Sequence, residues 1–268
     1  SGYAGLFEKV WGEPPLCDHT SDVDATYNRI GLSIASYEAS AEVNQFSSKY
    51  DAFLAGDAQL SEQEASGLAL FEGRAQCSAC HPTGEGSPFT DFTYDNLGIP
   101  PNPRNPFYAM DEEYLDDGTP INPLGDAWVD LGLGGFLQTR PEWSDKASDN
   151  LGKHKVPTLR NVGKGFGGKA TKAFGHNGYF KSLKGIVHFY NTRDVKPVCP
   201  DRFTTESDAL QQGCWPSPEV AVNVNTDELG NLGLTPAEED ALVAFMETLS
   251  DEFKVKKQGK HRHNHKSD

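Results

Sequence analysis

Cys77-Ser78-Ala79-Cys80-His81 is the stretch that decides how the rest of this chain reads. Two thiols separated by two residues suit the two thioether bonds that anchor one haem. The histidine that follows then lies under the iron as its proximal ligand. This is the spacing of c-type haem attachment. Two other chemistries also use paired cysteines. A structural zinc site needs two more Cys or His ligands at short spacing, and the chain has no second C-x-x-C. A thioredoxin-type pair follows a strand in a βαβ unit, whereas this motif follows a helical segment, Leu68-Ala69-Leu70-Phe71. The spacing favours haem, with zinc and dithiol redox chemistry as the alternatives.

The chain has 268 residues and five cysteines, so the motif leaves three thiols to place. Cys199 and Cys214 bracket a polar, turn-rich loop. Haem attachment to thiols implies an oxidising, extracytoplasmic setting, periplasmic in a bacterium, and there such a pair becomes a disulfide. Closing a loop of that length adds about 3 kcal/mol by chain entropy. The alternative is two free thiols. Cys17 is left over, either free or paired with something outside this chain.

The composition bounds the rest. Hydrophobic residues make up 37% and aromatic residues 10%, enough for a sizeable core and against a disordered chain. No run of apolar residues is long enough to span a membrane. A formal net charge of −15 repels phosphate backbones, which argues against nucleic acid as a partner.

Hydrophobic spacing predicts mostly helical structure. Over 21–43, Val23, Tyr27, Ile30, Ile34 and Tyr37 recur at three and four residues, with Ser21 as cap and the stripe read as core. Ser61 with Glu64 forms a capping box that opens a helix to about Phe71 and delivers the chain to Cys77. Residues 82–160 lack periodicity and are rich in Pro, Gly, Asn and Asp, as in Gly98-Ile99-Pro100-Pro101-Asn102-Pro103. So long an irregular stretch needs something to organise it, and a buried haem would do so. After Ser182, Leu183, Ile186, Val187 and Tyr190 share one helical face. A last helix follows Thr235, with Pro236 at its first position, Glu238 completing a capping box, and Leu242, Phe245, Met246 and Leu249 as its apolar face. The domain is expected over 1–252. The tail 253–268 carries six Lys and Arg with His261, His263 and His265, and is expected to be a disordered, solvated arm.

A c-type iron has either a sixth ligand or a vacant site, and that choice separates electron carriers from peroxide chemistry. Only Met110 and Met246 could supply a thioether. Met246 sits on a core-facing stripe, while Met110 lies in the irregular stretch and stays open. His176 and His188 are further candidates. His188 is turned about 140° from Leu183 by the helical period, whereas Tyr190 shares the face of Leu183, Ile186 and Val187. By pattern alone Tyr190 is more often a core tyrosine.

Several segments together carry a resemblance. They are Leu68-Ala69-Leu70-Phe71-Glu72-Gly73 ahead of the haem motif, Phe89-Thr90-Asp91-Phe92-Thr93-Tyr94-Asp95-Asn96-Leu97-Gly98, and Lys155-Val156-Pro157-Thr158-Leu159-Arg160-Asn161-Val162. His176-Asn177-Gly178, Leu183 to Tyr190, and Leu234-Thr235-Pro236-Ala237-Glu238-Glu239 complete the set. In order and spacing the chain resembles the C-terminal haem domain of the bacterial dihaem cytochrome c peroxidases and their MauG-like relatives, over nearly its whole length.

The resemblance implies a mostly α-helical, cytochrome c-type domain with long irregular loops and one covalent haem c. Cys77 and Cys80 would anchor it and His81 would be the proximal ligand. The position of Tyr190 is the ligating methionine in peroxidase members and a tyrosine in MauG-like members, so Tyr190 becomes the favoured sixth ligand, with Met110 as alternative. A phenolate lowers the haem potential where a thioether raises it. Arg160 would pair with a haem propionate, against the alternative of a surface ion pair, and His176 would hydrogen-bond near the haem. Relatives hold a calcium ion between their domains; calcium stays open here, with no oxygen ligands assigned.

The chain departs from the family in having one C-x-x-C-H motif where members carry two haems. Three explanations stand: a fragment, a partner haem domain on a separate polypeptide, or a single-haem descendant. The unpaired Cys17 favours a missing segment. The expected function is electron relay from a small cytochrome or cupredoxin towards a peroxide-reducing haem in an N-terminal domain or separate subunit. The alternatives are a stand-alone single-haem carrier and a MauG-like oxidase acting through high-valent iron.

Overall fold

The helix that delivers the chain to Cys77 starts where its capping box places it. In the computed structural model, which describes residues 2–12, 22–164 and 173–255, the Glu64 amide donates to Ser61 Oγ. The Ser61 amide in turn donates to the Glu64 carboxylate at 2.6 Å. Two otherwise orphaned amides of the first turn are thereby satisfied.

The chain divides into two compact units, Ser1–Phe46 and Ser47–Asp268, where the sequence suggested one domain over 1–252. The first unit holds α1 (Gly2–Trp11) and α2 (Val23–Glu38). Trp11 Nε1 donates to Ser33 Oγ at 3.1 Å. Asp22 caps α2, its carboxylate accepting from the Ala25 amide at 2.9 Å; Ser21 lies outside the described residues. The apolar stripe of α2 is not core. Val23, Tyr27, Ile30, Ile34 and Tyr37 are all exposed, and no residue of α2 is buried. The spacing was read correctly as amphipathic, but two helices of this length cannot enclose a core.

The second unit contains α3 (Lys49–Leu54), α4 (Glu62–Glu72), β1 (Tyr94–Asp95), α5 (Gly132–Gln138), β2 (His154–Lys155), α6 (Leu183–Thr192), α7 (Glu206–Gln212) and α8 (Pro236–Glu247). Its frame is the crossing of α4 on α8. A Cβ at Gly67 would lie 1.9 Å from the Ala241 carbonyl oxygen, so only glycine lets the two backbones approach this closely. Around the crossing Tyr50, Phe71, Phe89 and Phe245 meet largely edge to face, with ring centroids 5.1–6.4 Å apart. Met246 and Leu249 complete this cluster. A second cluster gathers Ile99, Phe180, Ile186, Phe189 and Trp215 beside the Cys199–Cys214 disulfide, whose Cα atoms are 5.1 Å apart.

Residues 82–160 are irregular as expected, apart from short 3₁₀ turns, the antiparallel pair β1–β2 and α5. Buried asparagines tie this segment down. Asn96 Nδ2 donates to the Val220 and Val222 carbonyls while its Oδ1 accepts from the Gly98 amide. Asn122 reaches the Phe107 and Gly125 carbonyls, and Asn102 the Asn177 carbonyl. Cys17 and residues 256–268 of the basic tail lie outside the described residues; Phe253 and Val255 are exposed.

Candidate haem site

The chain leaves α4 through Gln76, in the left-handed region at φ 54°, and enters a 3₁₀ turn at Cys77–Ala79. The His81 amide donates to the Cys77 carbonyl at 2.9 Å. This tight turn presents both thiols and the imidazole from one short stretch. Cys77 packs against the first apolar cluster. Cys80 faces acid: Glu228 Oε2 is 3.8 Å from its sulfur, and Asp95 joins them within 4.8 Å. Asn225 Nδ2 bridges the Asp95 and Glu228 carboxylates. Burial pushes the Cys77 thiol up to about 12. Burial, then the Glu228, Asp95 and Asp91 carboxylates, push Cys80 to about 12 as well. Reactive C-x-x-C pairs need the opposite shift, so dithiol exchange is a poor fit to this turn.

His81 is half-buried, and its Nδ1 lies 2.7 Å from the Phe89 carbonyl. Donation there fixes the tautomer and leaves the Nε2 lone pair for a metal. Burial holds the imidazole below its ordinary range, against the opposing pull of the Phe89 hydrogen bond. Phe89 is fully buried and held at φ 54°, a conformation costly for a bulky residue. Its ring is locked between Tyr50, Phe71 and Phe245, with the Arg160 guanidinium 5.3 Å from the ring centroid.

Arg160 is buried. Its Nη1 pairs with Asp51 at 2.7 Å and its Nε donates to the Ser87 carbonyl at 2.9 Å, fastening the start of α3 to the segment that tethers His81. It is a buried ion pair, not a surface one.

Ser182 caps α6, accepting from the Gly185 amide at 2.9 Å, and α6 carries Tyr190. The side chain is half-buried, and its hydroxyl makes no hydrogen bond among the described residues. Burial raises the pKa of the phenol, and the Cys77 and Cys80 sulfurs push it the same way. Cys77 packs on the first cluster and Tyr190 on the second, while Leu183 and Val162 border both. Arg193, at the end of α6, binds the Leu97 and Asn225 carbonyls and Asp194, and so fixes Tyr190's helix against the loops.

His188 donates from Nδ1 to Glu239 and accepts at Nε2 from Lys196, each at 2.8 Å, so both nitrogens are engaged. Met246 is core. Met110 ends the 3₁₀ turn Pro106–Ala109, in the loop region around Asn122. His176 binds Glu219 at 2.9 Å and stacks on His154. The Phe89 carbonyl, Asp95 and Glu228 were not found from sequence: one is backbone, and the others are common acids with no motif around them.

These residues fit haem c: two sulfurs in one turn, an imidazole with Nε2 free, apolar walls, and a phenol with an uncommitted hydroxyl on the adjoining cluster. The comparisons agree. The chain is 32% identical over 256 residues to the methylamine utilization protein MauG of Paracoccus denitrificans, an alignment that covers 93% of this chain and 57% of MauG. It is 30% identical over 222 residues to the cytochrome-c peroxidase IdrP1 of Denitromonas iodatirespirans, covering 81% of this chain and 48% of that protein. The crystal structure of the dihaem peroxidase BthA from Burkholderia thailandensis matches with a TM-score of 0.58 and 27% identity, covering 94% of this chain and 57% of that one. This chain belongs to the MauG-like and dihaem cytochrome c peroxidase family. No family model matches it. The chain spans about half the length of the family members it matches. As in a cytochrome c-type domain, the fold is mostly helical with long irregular loops. Among the described residues no helix is long and apolar enough to cross a membrane.

Proposed function

We propose that this member of the family carries one covalent haem c, outside the cytoplasm, and relays electrons from a small donor protein towards peroxide reduction at a haem on another domain or subunit. The observation that carries the reading is the Tyr190 hydroxyl, uncommitted among the described residues, on a cluster that shares Leu183 and Val162 with the one holding Cys77. When bound, haem c supplies one-electron redox chemistry. The chain's own residues do the rest. Cys77 and Cys80 would hold the group by thioether bonds. His81, aimed by the Phe89 carbonyl, would ligate through Nε2. Tyr190, on a helix that Arg193 holds in place, would offer its oxygen as the second protein ligand. The apolar residues of the two clusters would exclude water. Asp91, Asp95 and Glu228 give the Cys80 edge an acidic rim, which would steer a basic donor.

A second reading, a MauG-like oxidase acting on a partner protein, is favoured by the same residue. A phenolate donates charge and stabilises iron in its higher oxidation states, where a thioether would not.

The ligand assignment is tested by Tyr190→Phe. The ferric spectrum should move from six-coordinate low spin towards high spin; an unchanged spectrum would overturn Tyr190 and promote Met110. The denatured protein should carry one haem by mass, lost when Cys77 and Cys80 are both changed to Ser. Peroxide turnover by the isolated chain with a reduced donor would refute the relay role.

A further inference from the structure

The loop shell holds a second group of ligand-type side chains that the haem site does not use. Asp130, His154 and His176 each offer one ligand atom, and these atoms lie within 4.8 Å of one another. They come from three separate stretches: the residues before α5, the first position of β2, and the turn before α6. The two imidazoles are stacked, with centroids 3.7 Å apart and planes within 9°.

Beneath them sits a built support. Glu219 is buried, at 8% exposed. Its Oε2 accepts from His176 Nε2 at 2.9 Å and from Asn177 Nδ2 at 3.1 Å. Its Oε1 accepts from the Asp130 amide at 3.2 Å and from the Tyr108 hydroxyl at 3.1 Å. One carboxylate thus positions two of the three ligand residues. Donation from His176 Nε2 leaves the Nδ1 lone pair outward, the arrangement that orients metal-binding histidines. Asp130 Oδ1 accepts from the Gly132 amide at 2.9 Å, which leaves Oδ2 uncommitted. Gly132 has φ +55°, and a Cβ there would meet the Lys153 carbonyl oxygen at 2.3 Å and His154 Cε1 at 3.2 Å. The glycine is what admits the His154 ring. Neither nitrogen of that ring makes a hydrogen bond among the described residues.

We propose that Asp130, His154 and His176 bind a divalent transition-metal cation of the zinc class, with Glu219 as a positioning residue. Two imidazole nitrogens and one carboxylate oxygen suit such ions at about 2.0–2.2 Å and leave a fourth position for water. Calcium and magnesium prefer oxygen ligands throughout. Tetrahedral bonds of that length need ligand atoms about 3.4 Å apart, so binding draws the two rings out of their stack by side-chain rotation. The site shares no residue with the Cys77, Cys80, His81 and Tyr190 set, and its test reads independently of haem ligation.

The test uses the full haem-loaded chain with His261, His263 and His265 changed to Gln, so that the tail cannot bind metal. After chelator treatment, zinc chloride is titrated by calorimetry. One zinc per chain is expected, with binding lost on His154→Gln and on Asp130→Asn, and weakened about 10- to 100-fold on Glu219→Gln. Calcium chloride should not compete with zinc. Copper(II) provides a second readout: its resonance spectrum should show two imidazole nitrogens, falling to one in His154→Gln. An unchanged haem spectrum and melting curve confirm that each variant is folded. No zinc bound by the tail-substituted chain, or undiminished zinc binding in both His154→Gln and Asp130→Asn, overturns the site.

Discussion

Replacing Gly67 with alanine sets two effects of opposite sign against each other. Gly67 lies in the middle of α4, where alanine is favoured over glycine by about 1 kcal/mol of helix propensity. The new methyl, however, would sit 1.9 Å from the Ala241 carbonyl oxygen, 2.6 Å from the Ala241 carbonyl carbon and 2.8 Å from Phe245 Cβ. Two of these atoms are backbone of α8 and cannot rotate away. The helices must separate by roughly an ångström or more, at the cost of about 1–3 kcal/mol typical of overpacked cores. Separation also loosens the Phe71–Phe245 pair, now 5.1 Å between centroids, which contributes about 0.5–1.5 kcal/mol beyond its area. Overpacking wins, with a net loss of about 1–3 kcal/mol. At roughly 2–4 °C per kcal/mol for a domain of this size, the melting temperature should fall by about 2–12 °C. Because α4 runs directly into the Cys77 turn, the haem absorption bands should also shift. Thermal unfolding followed by circular dichroism measures the first effect. An unchanged or raised melting temperature would refute the reasoning, since it would mean that α4 and α8 are not in backbone contact at Gly67.

Two further outcomes follow from the same unit. Burial pushes the Asp51 carboxyl up, but the hydrogen bonds from Arg160 and Ser48 outweigh it and hold the folded-state value below the ordinary one. A depressed carboxyl contributes stability above its unfolded value near pH 4, and that stability is lost as pH falls through the folded value. Asp51→Asn should therefore flatten the acid limb of stability against pH, and at neutral pH should cost about 3–5 kcal/mol by removing the counter-charge of a buried guanidinium; an acid limb identical to the parent's would contradict this. The Cys199–Cys214 bridge spans 15 residues, so changing both cysteines to alanine should cost about 3 kcal/mol in denaturant unfolding, and a loss below about 1 kcal/mol would show that the unfolded chain is already constrained there.

What the sequence disclosed and what it hid separate along a physical line. Ser61 with Glu64, Ser182, and Thr235 with Glu238 start their helices where read, because a cap is a local event: a side chain and an amide three residues on. Periodicity puts Tyr190 on the face of Leu183, Ile186 and Val187, and the structure packs it against the second cluster. The α2 stripe shows the limit of that method. Spacing says which face is apolar but not whether anything covers it. The short helices α3, α5 and α7, of six and seven residues, carry too few turns to show a period. The irregular loops are held by Asn96, Asn102 and Asn122, whose partners are carbonyls up to 126 residues away. The Glu219–His176 contact, 43 residues apart, and the ion pair of Arg160 with Asp51, 109 apart, exist only once the chain is folded.

Phe89 has its ring in the aromatic cluster and its carbonyl on His81. Folding and tuning therefore run through one residue. With haem bound as proposed, a substitution at Tyr50 or Phe71 chosen only to change stability would also move the oxygen that holds the His81 imidazole, and so would register in the redox potential. The converse holds as well. Any evolutionary adjustment of the potential through that imidazole has to be compatible with an edge-to-face packing arrangement that leaves Phe89 few orientations. Midpoint potential and unfolding free energy should then covary across core variants of this unit.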